Sequence, residues 1–174
     1  LDTISRAAPD PSADGVPGML TTAHPARLKG GSEVVNFTRT LPNGGMHVYR
    51  MALSGPRALE RQALAFIPDR RKMSPTWVHD FAATDDYAVI LEAPIYMNLA
   101  SLMLGGDKQP KGGLVPGASD YVFMDWVPED GVRVSVVRLD GSEPTRYYSI
   151  ADPIFVFHFG NCFLATDDKT GERH

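Results

Sequence analysis

Cysteine is almost missing. Cys162 is the only one in 174 residues, which excludes an internal disulfide framework and any cysteine-rich zinc site. No apolar run approaches the ~20 residues needed to cross a bilayer as a helix. The net charge is −4 with no block of Lys and Arg, so the clustered positive charge that phosphate contacts require is lacking and nucleic acid is not an expected partner. There is no HExxH, no GxSxG, no Walker loop, and no GxGxxG after a strand. Gly30-Gly31-Ser32 precedes no helical pattern and is only weak evidence for phosphate binding. Neither a signal peptide nor an Arg/Ser-rich transit segment opens the chain, which begins at Leu1 rather than Met.

What the chain does have is apolar content and punctuation. At 43% hydrophobic residues it is too apolar for a disordered segment, and its length suits one ordinary domain. Sixteen Gly and fourteen Pro are spread along it and separate short elements. Val34 to Arg39, Met46 to Met51, Thr76 to Ala83, Tyr87 to Leu91, Tyr121 to Trp126, Val132 to Leu139, Arg146 to Ile150 and Ile154 to Phe159 read as strands. Each is rich in Val, Ile, Phe, Tyr, Thr or Trp and bounded by Gly, Pro, Asn or Asp. Pro42-Asn43-Gly44-Gly45, Thr84-Asp85-Asp86, Glu129-Asp130-Gly131 and Asp140 to Glu143 read as the turns between them. Only Pro56 to Leu64 and Leu99 to Leu104 have a helical look, and both are short. The pattern predicts an all-β chain of antiparallel strands: a sandwich, a barrel or part of a propeller.

Five histidines are present. His47 alternates within a strand and His174 is terminal, so both read as ordinary. His24 stands in Thr22-Ala23-His24-Pro25, His79 in Trp77-Val78-His79-Asp80-Phe81, and His158 in Phe155-Val156-Phe157-His158-Phe159. An imidazole in so apolar a strand must be hydrogen-bonded or metal-bound, because an unpaired polar group there costs about 1–3 kcal/mol. Either role is open to each of the three. The acidic residues gather at turns and read as solvated.

In this order the three histidine motifs resemble those of the carotenoid cleavage oxygenases, non-haem iron enzymes that split polyene chains. Thr22-Ala23-His24-Pro25 is similar to that family's first iron-ligand motif and Ser74 to Phe81 to its second. Phe155 to Asn161 is similar to the third, of the form Phe-His-x-x-Asn. Tyr87 to Pro94, Asn98-Leu99 and Asp125 to Gly131 follow the family's course between them, so the resemblance runs from about Leu20 to Asn161.

The resemblance implies part, about two to three blades, of a seven-bladed β-propeller whose inner strands deliver histidines to the axis. Residues 1–19 would be a loop-rich lead-in and 20–174 the strands carrying the ligand motifs. It implies Fe(II) held by four neutral histidines, three of them His24, His79 and His158, with the fourth beyond this chain. It implies oxidative cleavage of a conjugated C=C bond of a carotenoid or apocarotenoid by O2, giving two carbonyl products.

The orienting glutamates of such a site also lie mostly outside the stretch. Phe159, directly after His158, is similar to the apocarotenoid-cleaving branch that makes carlactone. Plastid residence is implied by analogy. Peripheral membrane contact is implied through Leu99, Leu102, Met103 and Leu104, of which Leu99, Leu102 and Met103 share one side of a short helix. Phe123, Trp126, Phe155 and Phe157 could line a substrate tunnel or fill the core, and their alternation in strands favours the core. The whole reads as an internal piece of a longer enzyme, inactive and poorly soluble by itself. The alternative is a metal-free or inactive propeller fragment that acts as a binding module.

Overall fold

The structure is a computed structural model and describes residues 16–41, 44–99 and 123–171. Among the described residues it is all-β with antiparallel pairing throughout. The first sheet contains β1 (Leu20–Thr21), β2 (Ala26–Leu28), β3 (Glu33–Arg39), β4 (Met46–Ala52) and β5 (Arg61–Ile67). β1 and β2 both pair with β3, and β4 and β5 follow outward. The second contains β6 (Ala82–Ala83), β7 (Tyr87–Glu92), β10 (Val132–Arg138) and β11 (Arg146–Ile150), in the spatial order β6-β7-β10-β11. A small ribbon pairs β8 (Ile95–Met97) with β9 (Met124–Trp126).

The two large sheets share one apolar core. Leu28, Val35, Phe37, Met46, Val48 and Ile67 of the first sheet pack against Phe81, Ala88, Ile90, Val137 and Leu139 of the second. Alternation along β3 explains how this face is selected. Val35 and Phe37 point into the shared core, whereas Val34 points to the opposite face, where it meets Val16, Tyr49 and Met51. Both faces of β3 are thus covered, and six of its seven residues are buried.

The linker from β5 to β6 is fastened to both sheets by charge. Asp69 pairs with the buried Arg39 of β3 and accepts the Gly45 N–H at 3.1 Å. Arg39 also donates to the Thr76 carbonyl at 3.1 Å. On the other side, Arg70 donates to the carbonyls of Asp130 and Gly131 at 2.6 and 3.0 Å, and Arg71 holds the Asp130 carboxylate bidentately at 2.7 and 2.8 Å. Arg133 pairs with buried Glu92 at 2.6 Å and donates to the Pro68 carbonyl at 2.6 Å.

Several expectations need correction. Pro56 to Leu64 is not helical: a turn carrying Leu59 at φ +66° leads into β5, which pairs with β4. Ala, Leu and Gln favour a helix locally, but nine residues make a marginal one, and the open edge of β4 offers backbone partners. Thr76 to Ala83 is a strand only at β6, with Thr76 forming a single bridge to Tyr96. Ile154 to Phe159 forms no strand and is largely exposed. Phe155, Phe157 and Trp126 are 44%, 43% and 47% exposed, so none is a core residue.

Glu129-Asp130-Gly131 follows a 3-10 turn rather than closing a hairpin, because β9 and β10 belong to different sheets. The β3–β4 turn ends with Gly45 at φ +62°, where a Cβ would come within 2.5 Å of the Ile67 carbonyl; Pro42 and Asn43 lie outside the described residues. So do Leu102, Met103 and Leu104, while Leu99 is only 3% exposed and turns inward, not toward a membrane. Among the described residues no helix is long and apolar enough to cross a membrane.

Asp130 supplies a pH test of this frame. Hydrogen bonds from Arg71 and Tyr96 lower its carboxyl to about 2, while burial and the bond to Asp130 push the Tyr96 phenol up to about 12. An unfolded Asp titrates near ~3.9, so Asp130 contributes stability that is full above that pH and is lost as pH falls through about 2. In urea unfolding of the full-length protein, the gap between wild type and Asp130→Asn should shrink across that window. A gap independent of pH would remove Asp130 from the frame.

Candidate metal centre

Three segments that are distant in sequence meet beside the inner edges of the two sheets. His24 immediately precedes the Pro25 that leads into β2, and β2 is held to the β3 edge. His79 stands three residues before β6, the terminal strand of the second sheet. His158 comes from the irregular stretch after β11. Because β2 and β6 lie on either side of the shared core at Leu28 and Phe81, the chain just ahead of each arrives at one place.

The imidazoles of His24, His79 and His158 offer nitrogens that all lie within 4.8 Å of one another. His24 Nε2 and His79 Nε2 are 3.0 Å apart, and the ring centroids are separated by 4.8 to 5.0 Å. Two nitrogens each about 2.1 Å from one ion, on bonds at right angles, stand about 3.0 Å apart. The His24–His79 pair stands at that spacing, and the three histidines together form a cluster that could hold a metal ion. The His79 pKa is lowered by burial and by the two neighbouring imidazoles, with Asp80 opposing. That favours the neutral ring, the form with a lone pair to donate. Cys162 is not part of the cluster, and burial raises its thiol pKa, so it is no ready thiolate.

Backbone anchoring surrounds the rings. The His24 N–H donates to Thr22 Oγ1 at 3.1 Å, and the Thr22 hydroxyl donates to the His79 carbonyl. Buried Asn36 on β3 donates to the Thr22 carbonyl at 3.2 Å while accepting the Phe37 N–H at 2.8 Å. Asp80 accepts the Phe81 N–H at 2.8 Å and the Phe159 N–H at 3.1 Å.

An aromatic group stands against His79. Phe157 lies 4.2 Å from the His79 ring, Trp77 lies 5.5 Å away, and Phe155 stacks on Trp77 at 5.7 Å with planes 15° apart. On another side, an open cleft of about 430 Å³ is lined by His24, Arg27, Asp80, Phe81, Phe159 and Asn161, among others. His47 lies apart on β4, tilted against Phe66.

The family model described as RPE65, retinal pigment epithelial membrane protein, matches residues 1–171. The chain belongs to this family. Its relatives include rice (Oryza sativa subsp. japonica) carotenoid cleavage dioxygenase 8 homolog A, chloroplastic, 27% identical over 169 residues. That match covers 97% of this chain and 27% of the rice protein. Arabidopsis thaliana carotenoid cleavage dioxygenase 8 is 29% identical over 156 residues, covering 88% and 24% of the two chains. Rat (Rattus norvegicus) β,β-carotene 15,15'-dioxygenase is 23% identical over 156 residues, covering 83% and 26%.

Among solved structures, a single-site mutant of Synechocystis ACO matches with a TM-score of 0.58 at 21% identity, over 87% of this chain and 29% of that one. Cobalt-substituted Synechocystis ACO matches with a TM-score of 0.57 at 20% identity over the same shares. The RPE65-family chain described here thus spans about a quarter of the length of the curated relatives it matches. Some relatives' names place those proteins in chloroplasts and others in mitochondria.

Sequence reasoning brought forward all three histidines but not Thr22, Asn36 or Asp80 as their supports. Thr22 stands two residues before His24 and Asp80 directly after His79 within the quoted motifs, and that proximity was the available signal. Replacing Asn36 with Leu leaves the Phe37 N–H and the Thr22 carbonyl without their side-chain partner, which should destabilise the full-length protein by about 1–3 kcal/mol in urea unfolding. An unchanged midpoint would show that these bonds are dispensable.

Proposed function

We propose that the full-length protein is a non-haem Fe(II) dioxygenase that cleaves a conjugated C=C bond of a carotenoid or apocarotenoid. O2 is the oxidant, both of its atoms enter the products, and two carbonyl groups replace the double bond. The observation that carries this reading is the meeting of His24, His79 and His158, with two nitrogens at the 3.0 Å spacing of neighbouring metal ligands. Names of relatives support the substrate class, and the cobalt-substituted ACO neighbour supports a metal at such a centre. The Synechocystis neighbour's name, apocarotenoid oxygenase, supports the apocarotenoid alternative.

The iron, when bound, supplies the redox chemistry that lets ground-state O2 react with a closed-shell alkene. The residues of this chain have other tasks. His24, His79 and His158 act as neutral donors, and none is an acid, base or nucleophile. Four neutral imidazoles, one of them from outside the chain, would leave the ion's positive charge intact. Trp77, Phe155 and Phe157 put flat apolar surface beside His79, which suits a rigid polyene and excludes water. In this reading residues 20–174 belong to about two to three blades of a seven-bladed propeller, with 1–19 as a loop-rich lead-in. Packing of the five-stranded sheet against the four-stranded sheet around one shared core supports it.

A metal-free binding module is the second reading, favoured by the His24–His79 distance, which also suits an N–H···N hydrogen bond between the rings. Metal content of the purified full-length protein separates the two. Wild type should carry near-stoichiometric iron and turn over an apocarotenal, and His79→Ala should lose both by more than about tenfold. Full iron content and activity in His79→Ala would remove His79 from the centre.

A further inference from the structure

Two side chains that hydrogen-bond to backbone around the imidazoles tie the three histidine segments together. Thr22 is buried, two residues ahead of His24. Its hydroxyl accepts the His24 N–H at 3.1 Å and donates to the carbonyl oxygen of His79, 57 residues along the chain. Asp80 follows His79 directly. One carboxylate oxygen accepts the Phe81 N–H at 2.8 Å, and the other accepts the N–H of Phe159, the residue after His158, at 3.1 Å. Both side chains therefore act on backbone at or next to each histidine.

We propose that Thr22 and Asp80 are positioning residues: Thr22 sets His24 against His79, and Asp80 sets His79 against His158. This rests on the metal reading above. The sheets do not do this work alone. His24 and His79 both precede their strands, outside the ladders of β2 and β6, and His158 lies in a stretch that forms no strand. Ladder hydrogen bonds thus fix the chain nearby but not the histidines themselves. A short side chain with a hydroxyl or a carboxylate can bridge such neighbours, because it reaches one backbone group on its own segment and one on the next. The Thr22 carbonyl is in turn held by Asn36 at 3.2 Å, so the first bridge is rooted in the buried β3 strand.

Metal affinity depends steeply on donor placement, and loss of groups that orient ligands costs about 10–100-fold in affinity or activity. The test uses full-length protein, stripped of metal and titrated with Co(II), reading the dissociation constant, the Co(II) ligand-field band and the melting temperature of the metal-free form. Thr22→Val and Asp80→Ala should each weaken Co(II) binding about 10–100-fold and shift the band. Metal-free melting should fall by only the few degrees that losing these backbone hydrogen bonds explains, and Thr22→Ser should restore both metal readouts.

Unchanged affinity and band in both variants would overturn the positioning role. So would an affinity loss that only tracks a lower metal-free melting temperature and is not rescued by Ser. If Thr22→Val does not fold, Asp80→Asn, which keeps one acceptor oxygen, decides on the same readouts: a weakened site supports the role and a wild-type site overturns it. Failure of the metal reading looks different. There, wild type binds no Co(II), or His79→Ala binds it as tightly as wild type.

Discussion

Face-to-face packing of the two antiparallel sheets is the constraint on which the rest depends. Leu28 at the end of β2 and Phe81 just before β6 belong to the same buried cluster, together with Val35, Phe37, Ile90 and Val137. Burial of such side chains contributes about 1.5–3 kcal/mol each. A non-directional force of this kind brings the inner edge of one sheet beside the inner edge of the other. His24 and His79 stand at the starts of those edges, and they meet for that reason although 55 residues separate them.

Apolar packing cannot set angles or register, and here polar groups do so. The β5–β6 linker carries Asp69, Arg70 and Arg71 in sequence, one turned to Arg39 in the first sheet and two to the Asp130 region beside the second. Arg39 is buried, which lowers its pKa against the opposing pull of Asp69, so removing Asp69 would leave a costly uncompensated charge. The same division holds at smaller scale around the histidines, where the core delivers the segments and hydrogen bonds from Thr22, Asn36 and Asp80 fix their separations.

Much of this was legible in the residues because it follows local rules. β3, β4, β7, β10 and β11 show β-branched and aromatic runs between turn residues, and the structure places them within a residue or two of expectation. The three histidines stood out through their motifs. The Arg61–Ile67 strand was hidden because its helix-forming composition is overridden by pairing with β4. Ile154 to Phe159 misled in the opposite sense. Its apolar content signals burial in a strand, but Phe155 and Phe157 are half exposed and gather with Trp77 against His79. β8 is only three residues long, too short to show a period. Contacts such as Asp80 to Phe159 join residues with 79 positions between their numbers, and no periodic pattern encodes them.

Anomalous diffraction at the iron edge, from crystals of the iron-loaded full-length protein, tests the convergence most directly. The expected result is a single peak about 2.1 Å from an imidazole nitrogen of each of His24, His79 and His158. A peak elsewhere, or an iron-replete protein whose metal lacks any of these three as a ligand, would contradict it.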